Sequence, residues 1–182
     1  MFDNISSGSF VFLIVAALVV DLIVIFLIRY NPEAGGKPIN DWYNKFGLSS
    51  VVSDVLIIVL GLLVAQYIYG IFIMPILGWN VVAFAALALV IQAIHDILFY
   101  FFVIRPIPQG HNEMIDVFKA YADEGQYKVI LADSAMTLST VFLASSLAAV
   151  PLHITTFVGT LAMYAVPYIL TTRNMFSAVD KN

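Results

Sequence analysis

The sequence predicts an all-α integral membrane bundle of about five transmembrane helices plus one short interfacial amphipathic helix, and three observations carry that expectation. The 182 residues are 62% hydrophobic and only 11% charged, with a mean hydropathy of +0.96, which is too little charge to solvate the surface of a soluble domain. Five apolar stretches, at 10–28, 51–73, 81–104, 129–150 and 154–170, are each long enough to cross about 30 Å of hydrocarbon as a helix. All eight basic residues fall on one side when the chain is threaded through those stretches. At this length, 1–182 forms a single transmembrane domain with no room for a second, soluble one.

The N-terminal Met1-Phe2-Asp3-Asn4-Ile5 carries no positive charge, and the apolar stretch behind it is long and lacks a small-residue cleavage site. It reads as a first span that is retained, not as a removable signal peptide. The first connection contains Asn31-Pro32-Glu33-Ala34-Gly35-Gly36-Lys37-Pro38, which is turn chemistry, followed by Trp42 and Tyr43, which suit the headgroup layer. The chain is therefore expected to loop out there and re-enter along the interface. The second and fourth connections, around Pro75 to Asn80 and Pro151 to His153, are short, so each joins two antiparallel neighbours as a helical hairpin. The third carries Pro106, Pro108 and Gly110, then a helix over about 112–123 with Met114, Ile115, Phe118 and Tyr121 on one face. Such a helix lies on a membrane surface, although a partner-binding helix would look the same.

Arg29, Lys37 and Lys45 lie around the first connection, Arg105, Lys119 and Lys128 around the third, and Arg173 and Lys181 in the tail. Five spans with the N-terminus outside and the C-terminus on the cytoplasmic-type face put all of them on one side. A re-entrant hairpin made of the last two segments would satisfy the rule equally well, but both segments are long enough to span. A net charge of −4 and the absence of any basic run argue against nucleic acid as a partner. With no cysteine, thiolate metal sites, iron–sulfur clusters and disulfide exchange are excluded.

Five residues do not belong in lipid: Asp21, Asp54, His95, Asp96 and Asp133 all sit inside apolar stretches. Each costs about 2.5–3.5 kcal/mol or more at a helix centre facing lipid, so they are expected to face one another or a wet cavity. Once the topology is applied their depths agree, in the inner half of the bilayer. Polar neighbours extend each position along one helical face. Ser50, Ser53 and Asp54 follow i, i+3, i+4, as do Gln92, His95 and Asp96, and Asp133, Thr137 and Thr140 follow i, i+4, i+7. The fourth span, which also carries Ser134, Ser139, Ser145 and Ser146, is expected to be the most enclosed.

Three readings of this cluster are open. The side chains are interhelical hydrogen-bond partners, with carboxyls protonated or paired with Lys128 and Arg105. Alternatively they form a conduction or coupling site, because four carboxylates cannot all stay ionised at close quarters in a low dielectric, and protons, a cation or basic partners must be present. In the third reading they hold a hard metal ion such as Mn²⁺, Mg²⁺ or non-haem iron, with His95, Asp96, Asp54 and Asp133 as ligands. His111 falls in the inner loop and His153 in the outer hairpin, so neither reaches His95, and a bis-histidine haem is excluded. No HExxH, GxSxG, Walker or GxGxxG pattern supports a hydrolase or a nucleotide-dependent enzyme.

The runs Asp41-Trp42-Tyr43 with Phe46-Gly47-Leu48, Ser53 to Ile58, Ile94 to Tyr100, Pro106-Ile107-Pro108 and Ala132-Asp133-Ser134 resemble a group of multi-pass membrane proteins, without an assigned activity, encoded by large DNA viruses of algae and protists. The resemblance covers most of the chain from the first span to the fourth. It implies a virion internal membrane or an infected-cell membrane and raises the weight of a structural role, but it supplies no mechanism. The sequence thus reads as a proton- or cation-handling membrane protein built around Asp21, Asp54, His95, Asp96 and Asp133, supported by Ser53, Gln92, Ser134, Thr137 and Lys128. A structural membrane protein is the alternative and a membrane metalloenzyme the third reading. The lipid bilayer is its expected partner, with a homo-oligomer or other membrane subunits possible.

Overall fold

The computed structural model describes residues 7–125 and 127–172, and over these the chain is helical, with no strand. Lys128's side chain, Arg173 and Lys181, all counted in the charge pattern above, lie outside the described residues. Seven helices follow in order: α1 (Ser7–Tyr30), α2 (Pro32–Phe46), α3 (Leu48–Leu77), α4 (Val81–Ile104), α5 (Glu113–Gly125), α6 (Tyr127–Leu147) and α7 (Leu152–Leu170). Helices α1, α3, α4, α6 and α7 are long and apolar enough to cross a membrane, so the protein is a multi-pass membrane bundle. Its outer surface carries exposed Leu56, Leu60, Phe72, Phe102, Phe157 and Tyr164, the side chains that lipid tolerates and water does not.

Helix α1 is the centre of the bundle, packed by α3, α6, α7 and the shorter α2. It is the most apolar span, and Leu13, Ala16, Ala17 and Ile25 are completely buried on it. A Cβ added at Gly159 of α7 would stand 2.7 Å from a methyl of Val15, so the missing side chain is what lets α7 approach α1 closely. The expectation that the fourth span is the most enclosed is corrected here: 22% of its apolar window is buried, against 56% for the first. Several of its hydroxyls, buried or exposed, bond back to their own helix, so they do not require enclosure by neighbours. Thr140 donates to the Met136 carbonyl and Ser146 to that of Phe142, and neither needs a neighbour.

Two spans change pitch near prolines. Helix α3 widens to a π-helical turn at Tyr69–Ile73, just before Pro75, and α4 does so at Tyr100–Ile104, just before Pro106. Proline lacks an N–H and its ring clashes with the carbonyl four residues back, and widening the turn relieves both. The hairpin between them is closed by Gly78, at φ 64°, and by Asn80, whose side chain accepts from the N–H groups of Val82 and Ala83 to cap α4. The buried Tyr69 hydroxyl donates to the Gly78 carbonyl and accepts from the Asn80 N–H.

The first connection is a helix, not the expected surface loop. Its turn residues mark a break inside it: Gly36 is non-helical at φ 67°, which leaves Pro38 in the first turn of the following segment, where its missing N–H costs nothing. Gly47, at φ 52°, then reverses the chain into α3. Helix α5 buries Ile115 and Val117, which lie on different sides of it, and touches α2 more than α6, so the two short helices together floor one end of the bundle. Arg29, Lys37, Lys45, Arg105 and Lys119 gather there, and it is called the basic end below.

Because the chain has no cysteine, single thiols report the topology cleanly. Cysteines at Asn80 and His153 are expected to react with an impermeant reagent from one side of sealed vesicles, and cysteines at Lys45 and Gln109 only from the other. Labelling of His153 and Gln109 from the same side would remove a span.

Candidate functional site

The basic end is where the intramembrane aspartates gather, and helix α2 organises them. Its register places Trp42 and Tyr43 under the bundle, 3% and 4% exposed. The Tyr43 hydroxyl lies 2.9 Å from Oδ1 of Asp21 on α1 and 3.0 Å from Oδ2 of Asp54 on α3. The Trp42 Nε1–H donates to the same Asp54 oxygen at 2.9 Å. Trp42 is wedged against Phe46 on its own helix and Phe118 of α5, with ring centroids 5.2 and 4.7 Å apart. Asp21 is fully buried, and its second oxygen has no hydrogen-bond partner in the protein.

A second hydrogen-bonded group stands on α4. Gln92 Nε2 donates to Oδ1 of Asp96 at 2.8 Å, and His95 Nδ1 lies 3.2 Å from the same atom, while the His95 ring stacks on Phe99. Helical spacing makes the Gln92–Asp96 contact, which is an i, i+4 pair. Oδ2 of Asp96 is buried without a protein partner. Asp133 on α6 is half-buried and lies within electrostatic range of Asp96 and Asp54. Tyr121 of α5 is half-buried within electrostatic range of all three carboxylates.

The predicted cluster is therefore brought to one end of the bundle, as two bonded groups with Asp133 within electrostatic range of both rather than as a single knot. Among the described residues no three His, Asp or Glu side chains converge to hold a metal ion, so the set His95, Asp96, Asp54 and Asp133 is not assembled as ligands. Several supporting residues stand apart. Ser53 donates to the Ser49 carbonyl of its own helix, Ser134 is half-buried, and Thr137 is buried with its hydroxyl unpartnered. Arg105 does not pair with the carboxylates but lies over the Phe101 ring at 5.9 Å. Among the described residues the one Lys or Arg ion pair is Lys37 with Asp41, and the imidazole of His95 lies 3.2 Å from Asp96, leaving Asp21, Asp54 and Asp133 without a basic partner.

The two tyrosines of the floor feel this charge directly. Burial raises the Tyr43 phenol well above its usual range, and the charges of Asp54 and Asp21, with its hydrogen bonds to both, raise it further. Burial likewise raises Tyr121, reinforced by Asp133, Asp54 and Asp96 in that order. Neither tyrosine was singled out as a site residue from sequence, because each lies outside the apolar stretches that made the aspartates conspicuous. The available signal was the amphipathic pattern of the two connecting helices.

The chain matches no protein-family model, no curated protein and no solved structure. Its functional reading rests on this geometry.

Tyr43→Phe removes the hydroxyl that serves two buried carboxyls and is expected to destabilise the bundle by about 1–3 kcal/mol at neutral pH, read by thermal unfolding in detergent. Both tyrosines hold their protons in the folded state beyond the pH at which the unfolded chain releases them. Stability should therefore be intact below pH about 10 and fall above it, by up to about 1.4 kcal/mol per pH unit for each tyrosine. Tyr121→Phe should make that alkaline slope shallower, and an unchanged slope would remove Tyr121 from the floor of the site.

Proposed function

We propose that the protein moves protons through the membrane, with Asp21, Tyr43 and Asp54 forming the relay at the basic end and Asp96, Asp133 and Tyr121 extending it. The observation that carries this reading is the position of the Tyr43 hydroxyl within hydrogen-bond distance of two carboxyl groups. A phenol has one hydrogen to donate. If Tyr43 donates to Asp21, the bond to Asp54 requires a proton on the carboxyl, and the converse holds equally. The two arrangements differ by a concerted shift of two protons along hydrogen bonds of ordinary length, which is the elementary step of proton transfer.

A path away from the basic end has supporting polar groups. Gln92 and Thr137 lie one helical turn, about 6 Å, beyond Asp96 and Asp133, while Gln66 and Ser145 lie about 18 Å beyond Asp54 and Asp133. Both amide atoms of Gln66 and the hydroxyls of Thr137 and Ser145 are buried without protein partners. Buried groups of that kind are the sites at which internal water is held, and a file of water between them would continue the relay. In this reading the basic end faces the cytoplasmic-type side, and a cation would compete with the proton for the same carboxylates.

The structural reading keeps one specific support: the Asp21–Tyr43–Asp54 bonds tie α1, α2 and α3 together, as interhelical polar contacts do. That role fits a membrane protein of a virus particle, the source the sequence resembles. Proteoliposomes carrying a pH-sensitive dye and an imposed potential separate the two. Wild type is expected to show proton flux, and Tyr43→Phe, Asp54→Asn and Asp96→Asn to lower it at least about tenfold, corresponding to about 1.4 kcal/mol in a barrier. Folded wild-type protein that passes neither protons, Na⁺ nor K⁺ would defeat transport and leave the structural role.

A further inference from the structure

A second site stands beside the carboxylate cluster and has the opposite charge. Arg29 ends α1 at the basic end, is 4% exposed, and has no carboxylate within ion-pair distance among the described residues. Its guanidinium donates to the Asn44 side chain and to the carbonyl of Leu170, one of the orphan acceptors at the end of α7. Five N–H groups are available on a guanidinium, and the buried Nε–H has no protein partner. A desolvated cation without an anion is expensive, and two neutral acceptors do not neutralise it.

The guanidinium lines a cavity of about 450 Å³ enclosed by α1, the α2–α3 turn and α7. Its other walls include Leu48, Met163, Val166 and Pro167, and Leu48 and Met163 are each 53% exposed on the surface that faces lipid. The cavity thus offers one buried positive charge at its polar end and an apolar flank continuous with the bilayer. A soluble anion would use only the charge, whereas an amphiphile would use both features.

We propose that this cavity binds an anionic phospholipid, with the phosphate on Arg29 and an acyl chain along Leu48 and Met163. Guanidinium suits phosphate oxygens, and basic pockets between transmembrane helices are established sites for lipid headgroups. An anionic lipid is favoured over a zwitterionic one because its net charge of −1 matches Arg29, which has no ion-pair partner among the described residues, whereas a zwitterion brings its own cation.

The test uses the full chain in a neutral detergent with phosphatidylcholine, its unfolding followed by tryptophan fluorescence. Replacing part of the phosphatidylcholine with phosphatidylglycerol is expected to raise the melting temperature by at least about 3 °C, as a ligand bound only to the folded form does. Arg29→Gln should abolish that difference, and so should Met163→Trp, which fills the cavity and keeps the guanidinium. If Arg29→Gln does not fold, Met163→Trp decides alone. Equal stabilisation by the two lipids, a phosphatidylglycerol shift that survives Met163→Trp, or inorganic phosphate reproducing the shift without the lipid would each overturn the proposal.

Discussion

The fully buried carboxyl of Asp21, on the helix that forms the centre of the bundle, is the constraint from which the rest of the basic end follows. Helix α1 occupies the centre, where Ala16, Ala17 and the Gly159 contact allow close packing, and its burial takes Asp21 away from both lipid headgroups and water. No cation among the described residues pairs with it. A carboxyl so placed needs a hydrogen-bond donor from a neighbour. The donor comes from outside the spans, so α2 must turn under the bundle to deliver Tyr43. That turn depends on the positive-φ glycines at 36 and 47, and the tucked helix in turn presents Trp42 to Asp54 and to α5.

The same logic explains why α5 is not a freely floating surface helix. Asn112 caps it by accepting from the Met114 and Ile115 N–H groups, and the Asp116 carboxylate accepts from the Gly110 N–H, fixing the proline-rich loop to its first turn. With its start fixed, the helix sets Phe118 against Trp42 and Phe99, and Tyr121 among the carboxylates. The aromatic contacts seal the floor and lower the dielectric beneath Asp54. Electrostatic interactions between the carboxylates therefore extend further there than they would in water.

Sequence made the five spans, the two tight hairpins and the gathering of the aspartates at one end legible, because apolar length and helical rise determine depth with little help from tertiary packing. It gave a poorer account of rotation about each helix axis. Asp21 and Asp54 are bridged by Tyr43, and nothing in the period of α1 or α3 announces a partner 22 residues after Asp21 and 11 before Asp54, in a connection punctuated by proline and glycine. The turn residues of 31–38 suggest a loop because a glycine break and a proline within three residues look the same in a loop and in a kinked helix. The hydroxyl-rich fourth span misled in the opposite direction. Thr140 and Ser146 satisfy themselves on their own backbone, so their number says little about enclosure.

The energetics of the cluster bear on what it is for. Hydrogen bonds between membrane helices contribute on average about 0.6 kcal/mol, whereas a carboxylate within the hydrocarbon costs about 2.5–3.5 kcal/mol or more. As adhesive, Asp21 and Asp54 are therefore a poor choice against leucine, which would pack the same interface without needing Tyr43 or Trp42. The cost is increased by the second oxygens of Asp21 and Asp96, which are buried without protein partners. It is partly offset by the aromatic surface that α2 and α5 bury in closing the floor. A bundle that spends stability on carboxyl groups and then encloses them with phenols holds dissociable protons on side chains shielded from water. Hydrogen bonding alone would be served by serine or asparagine, which carry no dissociable proton in this range. Acids at Asp21, Asp54, Asp96 and Asp133 therefore suit a relay better than a structural adhesive.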